Sequence, residues 1–228
     1  MKKGKLIVLD GGDGSGKATQ TKLLVKNIKS KGLKVKTLDF PQYEKNFFGS
    51  LIGECLRGEH GSFTKTDPYI ASVLYAADRF ESKKKIEEWV KKGNIVVLDR
   101  YVSANQMHQG GKIKDPKELK KFLTWLDTME FSIFKIPRPD IIIYLDVPVT
   151  KTKELLLGAA KKKTYLKGKK DQTENDTNYL ENSRKGAFAI IKKENNWKKI
   201  NCISRGEMKS REKIQEEIWS VVAETIKK

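Results

Sequence analysis

Cysteine and histidine are scarce in this chain, and acid is well outnumbered by base. Its 228 residues hold two cysteines and two histidines. Cys55 and Cys202 stand apart, with no C-x-x-C pair, which excludes a disulfide framework and a cysteine zinc site and points to a reducing cytoplasm. No apolar run is long enough to span a membrane. Met1-Lys2-Lys3 resembles the charged start of a secretory signal, but the apolar stretch behind it is too short for one. Lys and Arg number 47 against 29 Asp and Glu, a formal charge of +18. None of the short nucleic-acid-binding motifs is present, so nucleic acid is not the expected partner. The excess reads as a solvated basic surface suited to small polyanions such as nucleotides. No internal repeat is visible.

What is present begins with Gly11-Gly12-Asp13-Gly14-Ser15-Gly16-Lys17-Ala18-Thr19, directly after the apolar run Leu6-Ile7-Val8-Leu9. The spacing G-x-x-x-x-G-K between a strand and a helix is that of a phosphate-cradling P-loop. Glycines let successive N–H groups turn toward an anion, and the next helix adds its positive end. Lys17 supplies a mobile cation for the outer phosphates. The residue after the lysine, where a hydroxyl ordinarily ligates Mg²⁺, is Ala18, and the hydroxyl comes one position late, at Thr19.

In chain order, the pattern predicts a strand over Lys5–Leu9, a helix over Lys17–Ser30 and a strand over Leu33–Phe40. Phe40-Pro41 closes that strand, where open α/β sheets place ligands, although Phe40 reads equally well as ordinary core. Asn46–Arg57 is a short helix. Asp67-Pro68 starts a long one, expected to run to about Lys92 with Ile70, Val73, Leu74 and Ala77 as its core stripe. Tyr75 and Arg79 fall on the other face, either solvated or poised to hold a base and its phosphate. Ile95–Leu98 is a buried strand ending in Asp99-Arg100-Tyr101. Asp99 there is either a magnesium-facing carboxylate with Arg100 as a phosphate clamp, or half of a structural ion pair. Asp115-Pro116 caps another helix. Ile141–Leu145 is a buried strand, a helix starts near Thr150, and Asn178–Asn195 is partly helical. Trp197–Ile203 is the last strand. Ile214, Ile218, Val221 and Val222 face the core from the final helix. Six lysines crowd the stretch Lys161–Asn175, either a disordered loop or a lid over phosphates. The alternation predicts one α/β domain over residues 1–228. Its architecture is a doubly wound five-stranded parallel sheet with helices on both faces and a lysine-rich lid insertion at about 161–178, the P-loop NTPase fold.

With these pieces placed, the chain resembles the thymidylate kinases among the P-loop nucleoside monophosphate kinases. The matching segments are D-G-G-D-G-S-G-K-A-T-Q at 10–20, F-P at 40–41, L-Y-A-A-D-R at 74–79, D-R-Y at 99–101 and P-D-I-I-I-Y-L-D-V-P at 139–148. The resemblance covers nearly the whole chain. It implies transfer of the γ-phosphoryl group of ATP to dTMP, with Mg²⁺, in a homodimer. It implies a catalytic Asp13, Lys17 and Arg100. It implies ATP binding by Gly11, Gly12, Asp13, Gly14, Ser15, Gly16, Lys17, Ala18 and Thr19. Because Gly14 stands where one family type has a basic residue, the missing charge is expected from the lid, at Lys161, Lys162 and Lys163. Phe40 and Pro41 would line the nucleoside pocket, Tyr75 would stack on thymine, and Arg79 and Arg100 would hold the acceptor phosphate. Asn105 falls where some members contact the base. Asp99 would face the metal.

The chain departs from the family pattern at Ala18, at the lid cations, which are lysines rather than arginines, and at His108, which stands where an aromatic commonly packs near the sugar. These departures keep two alternatives open. One is a kinase for another pyrimidine monophosphate such as dUMP. The other is a catalytically impaired nucleotide-binding regulatory or nucleic-acid-binding protein.

Overall fold

The computed structural model describes residues 3–158, 164–168 and 176–227, the side chains of 156–158 excepted. Lys161, Lys162 and Lys163 therefore lie outside the described residues, as does most of the expected lid.

The elements follow the expected alternation. Strand β1 (Leu6–Gly11) feeds helix α1 (Lys17–Ser30), then β2 (Val35–Asp39), α2 (Phe47–Leu56), α3 (Pro68–Glu81) and α4 (Lys83–Lys91). Next come β3 (Ile95–Asp99), α5 (Val102–His108), α6 (Pro116–Asp127), β4 (Ile141–Asp146) and α7 (Val149–Gly158). The chain closes with α8 (Thr177–Ile191), β5 (Trp197–Asn201), a short hairpin of β6 (Ile203–Ser204) and β7 (Glu207–Met208), and α9 (Arg211–Lys227). The five long strands pair in parallel in the order β2-β3-β1-β4-β5. The hairpin and a π-helical turn over Thr128–Ile133 were not foreseen.

The central strands are apolar on both sides, yet their side chains still alternate. Leu6, Val8, Val96 and Leu98 pack into one core layer with Phe122, Leu126 and Trp197. Ile7, Leu9, Ile95 and Val97 pack into the other with Leu24, Ile28, Ile214, Ile218 and Val222 from α1 and α9. α1 leaves β1 on one face of the sheet and α5 leaves β3 on the other. The carboxyl ends of β1 and β3 thus flank a topological switch point, where α/β sheets form their ligand crevice.

The long helix departs from expectation twice. It ends at Glu81 and resumes at Lys83, the chain turning at Ser82, where the sequence carries neither Gly nor Pro. Its expected core stripe is also wrong. Ile70 and Val73 are 60% and 39% exposed, and Leu74 and Ala77 are only partly covered. The buried positions are Ala71, Ser72, Ala76, Asp78 and Arg79. Small residues let this face lie close to α2, and the two charged ones find internal partners, which offsets the cost of burying them.

Candidate active site

The P-loop is built as its residue types require. Gly16, at the N-cap of α1, has φ of 87°, a left-handed value open to glycine at little cost. No acidic residue sits in the first turn of α1, so its positive end stays available to an anion. Lys17 is buried and curls back, its Nζ donating to the carbonyls of Gly11 (2.8 Å) and Gly12 (2.7 Å). Burial, and then the nearby Arg100, bring its pKa down to about 8 against the pull of Asp13, Asp99 and Asp10.

Arg100 occupies the switch point. It follows the last residue of β3 with φ of 67°, a sparsely populated value for a non-glycine residue. One guanidinium nitrogen pairs with Asp13 of the P-loop. The other lies 3.0 Å from His108 Nε2 and 3.9 Å from Asp10 Oδ1. Burial works against the charge of Arg100, yet Asp13, Asp10 and Asp99 together hold its pKa above the ordinary value. Asp10 is itself buried and accepts from Ser103 Oγ (2.5 Å) and Gly11 N (2.9 Å). Two cations and three carboxylates thus meet at the ends of β1 and β3.

A cleft runs from this cluster. Ser15, Gly16, Lys17, Ala18 and Thr19 line it, joined by Met208 of the hairpin, Lys209 and Arg211 at the start of α9. Phe40, Pro41, Tyr75, Arg79, Asn105 and His108 line the same cleft. Apart from the lid lysines, all the expected residues converge on the cleft, with Gly11 and Gly12 behind it holding Lys17. The two placements read for Phe40, core and strand-end cleft, coincide. Phe40 packs on Tyr101 in the core, with ring centroids 5.8 Å apart, and lines the cleft. Asn105 Nδ2 donates to Ser72 O at 3.1 Å, which ties α5 to α3. Arg79 is not on a solvated face. It is 2% exposed, and Glu130 receives its Nε at 3.1 Å and its Nη2, while Nη1 reaches Tyr101 O at 3.4 Å.

Several residues of the site were missed in the sequence. Glu130 carries no motif and lies 51 positions from the arginine it neutralises. Asp10 stood in a matched segment without a role. Tyr43, two residues beyond Pro41, stacks on Tyr165 with centroids 3.8 Å apart and rings 7° from parallel. Thr164 and Tyr165 line the cleft as well, so the described part of the lysine-rich stretch lies against the segment that follows Pro41.

The residues present fit a magnesium ion sparingly. Ala18 offers no side-chain oxygen. The Asp99 carboxylate accepts no hydrogen bond among the described residues, and burial raises its pKa against the pull of Lys17 and Arg100. A cation beside it would favour its ionised form. No group of three or more His, Cys, Asp or Glu is clustered for a metal among the described residues. Magnesium keeps several waters and takes one or two carboxylates plus phosphate oxygens, and Asp99 is one such carboxylate.

The chain matches the family model described as "Thymidylate kinase" over residues 9–214. It is 30% identical over 157 residues to a thymidylate kinase of Mycobacterium tuberculosis, covering 69% of this chain and 72% of that one. It is 31% identical over 222 residues to a probable thymidylate kinase of Pyrococcus abyssi, covering 96% of each. A solved thymidylate kinase from Candida albicans shares the fold, with a TM-score of 0.73 at 19% identity over 98% of this chain and 94% of that one. A P-loop, a D-R-Y strand end and the F-P and L-Y-A-A-D-R segments meeting in one cleft agree with those matches: the chain belongs to the thymidylate kinase family.

Proposed function

We infer that the protein transfers the γ-phosphoryl group of ATP to dTMP, giving dTDP. The observation that carries this reading is the meeting of Lys17, Asp13 and Arg100 in the same cleft as Phe40, Tyr75, Arg79 and Asn105. A donor and an acceptor can then share one cleft, and phosphoryl transfer needs little else beyond positioning and charge neutralisation. Nothing favours another pyrimidine monophosphate or an impaired regulatory protein.

In this reading, Lys17 leaves the carbonyls of Gly11 and Gly12 for the outer phosphates of ATP, a change of side-chain torsions alone. The loop N–H groups and the end of α1 receive the remaining negative charge. Asp13 keeps Arg100 turned toward the transferring group. Tyr75 covers the base, Phe40 and Pro41 wall the sugar, and Arg79 gives hydrogen bonds to the acceptor nucleotide from a fixed position. Asp99 would hold magnesium, which when bound adds charge neutralisation at the phosphate oxygens. Lys161, Lys162 and Lys163 supply the charge that Gly14 does not.

We also assign the protein to a homodimer. Ile70, Val73 and Phe80 form an exposed apolar stripe on α3. It continues through the Phe80–Phe134 contact at 5.1 Å toward Ile133, and toward Phe47 on α2, 72% exposed. Apolar area of this kind on a water-facing helix supports a self-association surface. Sedimentation of an Ile70→Lys, Phe80→Lys variant should report a monomer. The two free, buried cysteines support a cytoplasmic location, the thiol of Cys202 being pushed up to about 12 by burial and thus unreactive.

The deciding experiment is a coupled ADP-release assay with ATP and Mg²⁺ against a panel of nucleoside monophosphates. dTMP should be the preferred acceptor, and Lys17→Ala should lower turnover by roughly 10²–10³-fold, the scale for one preorganised charge donor. A folded wild-type protein that makes no dTDP would falsify the reading.

A further inference from the structure

The following rests on Arg100 acting at the transferring phosphate. His108 stands where the family pattern suggests an aromatic beside the sugar. Its surroundings give it a different task. We propose that His108 is a positioning residue for Arg100, held by α8 as the neutral Nδ1–H tautomer so that it orients the guanidinium without cancelling its charge.

The tautomer follows from the partners. An arginine can only donate, so His108 Nε2, 3.0 Å from Arg100 Nη1, must be the acceptor. On the other side of the ring, Ser183 Oγ lies 3.1 Å from Nδ1. That hydroxyl gives its hydrogen to the carbonyl of Tyr179 at 2.8 Å, so toward His108 it can only accept. The two sides assign the same proton independently. The ring is held flat against Tyr179, with centroids 5.7 Å apart and planes 13° from parallel. Tyr179 and Ser183 lie one turn apart on α8. That helix lies close against the end of α5 and the turn that follows it: a Cβ on Gly186 would fall 3.4 Å from Met107 O, and one on Gly111 2.9 Å from Ser183 N.

A neutral acceptor is what this position needs. Arg100 already pairs with Asp13 and lies near Asp10. A further carboxylate would consume charge meant for a phosphate, whereas an imidazole lone pair fixes direction and leaves the charge in place. The charged groups facing the ring are Arg100, Asp13, Lys17 and Lys112. Burial, followed by Arg100, lowers the pKa of His108 to about 3, so the acceptor is retained at ordinary pH. The consequence is a link between α8, which follows the lysine-rich stretch, and the arginine at the switch point.

The test combines kinetics with a spectroscopic readout. His108→Phe keeps a ring on Tyr179 but removes the acceptor, while His108→Gln restores an acceptor and an N–H. With both variants shown to be folded by thermal melting, His108→Phe should lower kcat/KM for dTMP by about 10–100-fold, the scale of one hydrogen bond to a charged group, with KM for ATP little changed. His108→Gln should recover most of that loss. Nitrogen-15 spectra of the free protein should show His108 with its proton on Nδ1, and His60→Gln assigns the signals, since the chain has two histidines. Equal losses in the Phe and Gln variants, a Phe variant near wild type, or a proton found on Nε2 would each overturn the proposal. A wild type inactive on dTMP would sink the kinase reading instead, and the tautomer would still decide this one.

Discussion

Arg79 and Arg100 reach the same cleft from two walls, and they are held in unlike ways. Arg79 projects from the last turn of a regular helix, is fully buried, and meets a single carboxylate, Glu130, that has no other side-chain partner among the described residues. Arg100 sits on a strained backbone at a strand end and shares its charge among Asp13, Asp10 and the His108 lone pair. The carboxylates around Arg100 have other support. Asp10 has Ser103 and the Gly11 N–H, and Asp13 lies 3.9 Å from Lys17. One arginine is thus built into the architecture and the other into an exchangeable cluster. The first should matter most for stability and the second most for the chemical step.

The largest expected effect tests the structural arginine. Glu130→Ala leaves a buried guanidinium uncompensated and should cost about 3–5 kcal/mol, a fall in Tm on the order of 10 °C. Replacing both partners, as Arg79→Met with Glu130→Leu, should restore much of that stability while leaving dTMP use impaired. If Glu130→Ala melts like wild type, the contrast between the two arginines is lost. Next in size is Arg100→Ala. It should lower kcat by roughly 10²–10³-fold, with a smaller loss of Tm than Glu130→Ala, because its carboxylates keep other partners. Steady-state kinetics beside calorimetry separates the two.

A smaller effect concerns pH. The pKa of Lys17 falls from 10.5 to about 8 on folding. Unfolding therefore takes up a proton between those values, and the contribution of this group to stability rises with pH across that window. Its charge is lost in the free enzyme over the same range. kcat/KM for ATP should then fall about tenfold per pH unit above pH 8, while KM for dTMP should not follow it. A flat ATP profile to pH 10 would remove Lys17 from donor binding. The smallest expected effect is at Ala18. Ala18→Ser adds the absent ligand, so activity should persist with a few-fold lower Mg²⁺ requirement. An unmoved requirement would mean that Asp99, waters and the nucleotide already suffice.

Much of the site was legible because its chemistry is local. The P-loop needs its glycines and lysine within nine residues, and D-R-Y needs only a strand to end. The caps at Asp67 and Asp115 were legible for the same reason: each accepts from backbone N–H groups two and three residues on. What failed was the reading of α3. Apolar periodicity marked Ile70 and Val73 as core, but the rule cannot tell a face turned to the protein interior from one left for another surface. The burial of Arg79 was hidden because its partner lies on a separate segment.

The sequence by itself determined the succession of the five long strands with helices between them, the P-loop, the carboxylate and arginine at the end of β3, and the family. These depend on contacts between near neighbours and on backbone preferences that each residue carries with it. Only the tertiary structure decided that Glu130 neutralises Arg79, that Asp10 and Asp13 flank Arg100, that His108 accepts from Arg100 while α8 fixes its proton, and that an apolar stripe of α3 faces outward. Those are pairings between segments far apart in the chain, and their partners are chosen by packing geometry, which no local pattern encodes.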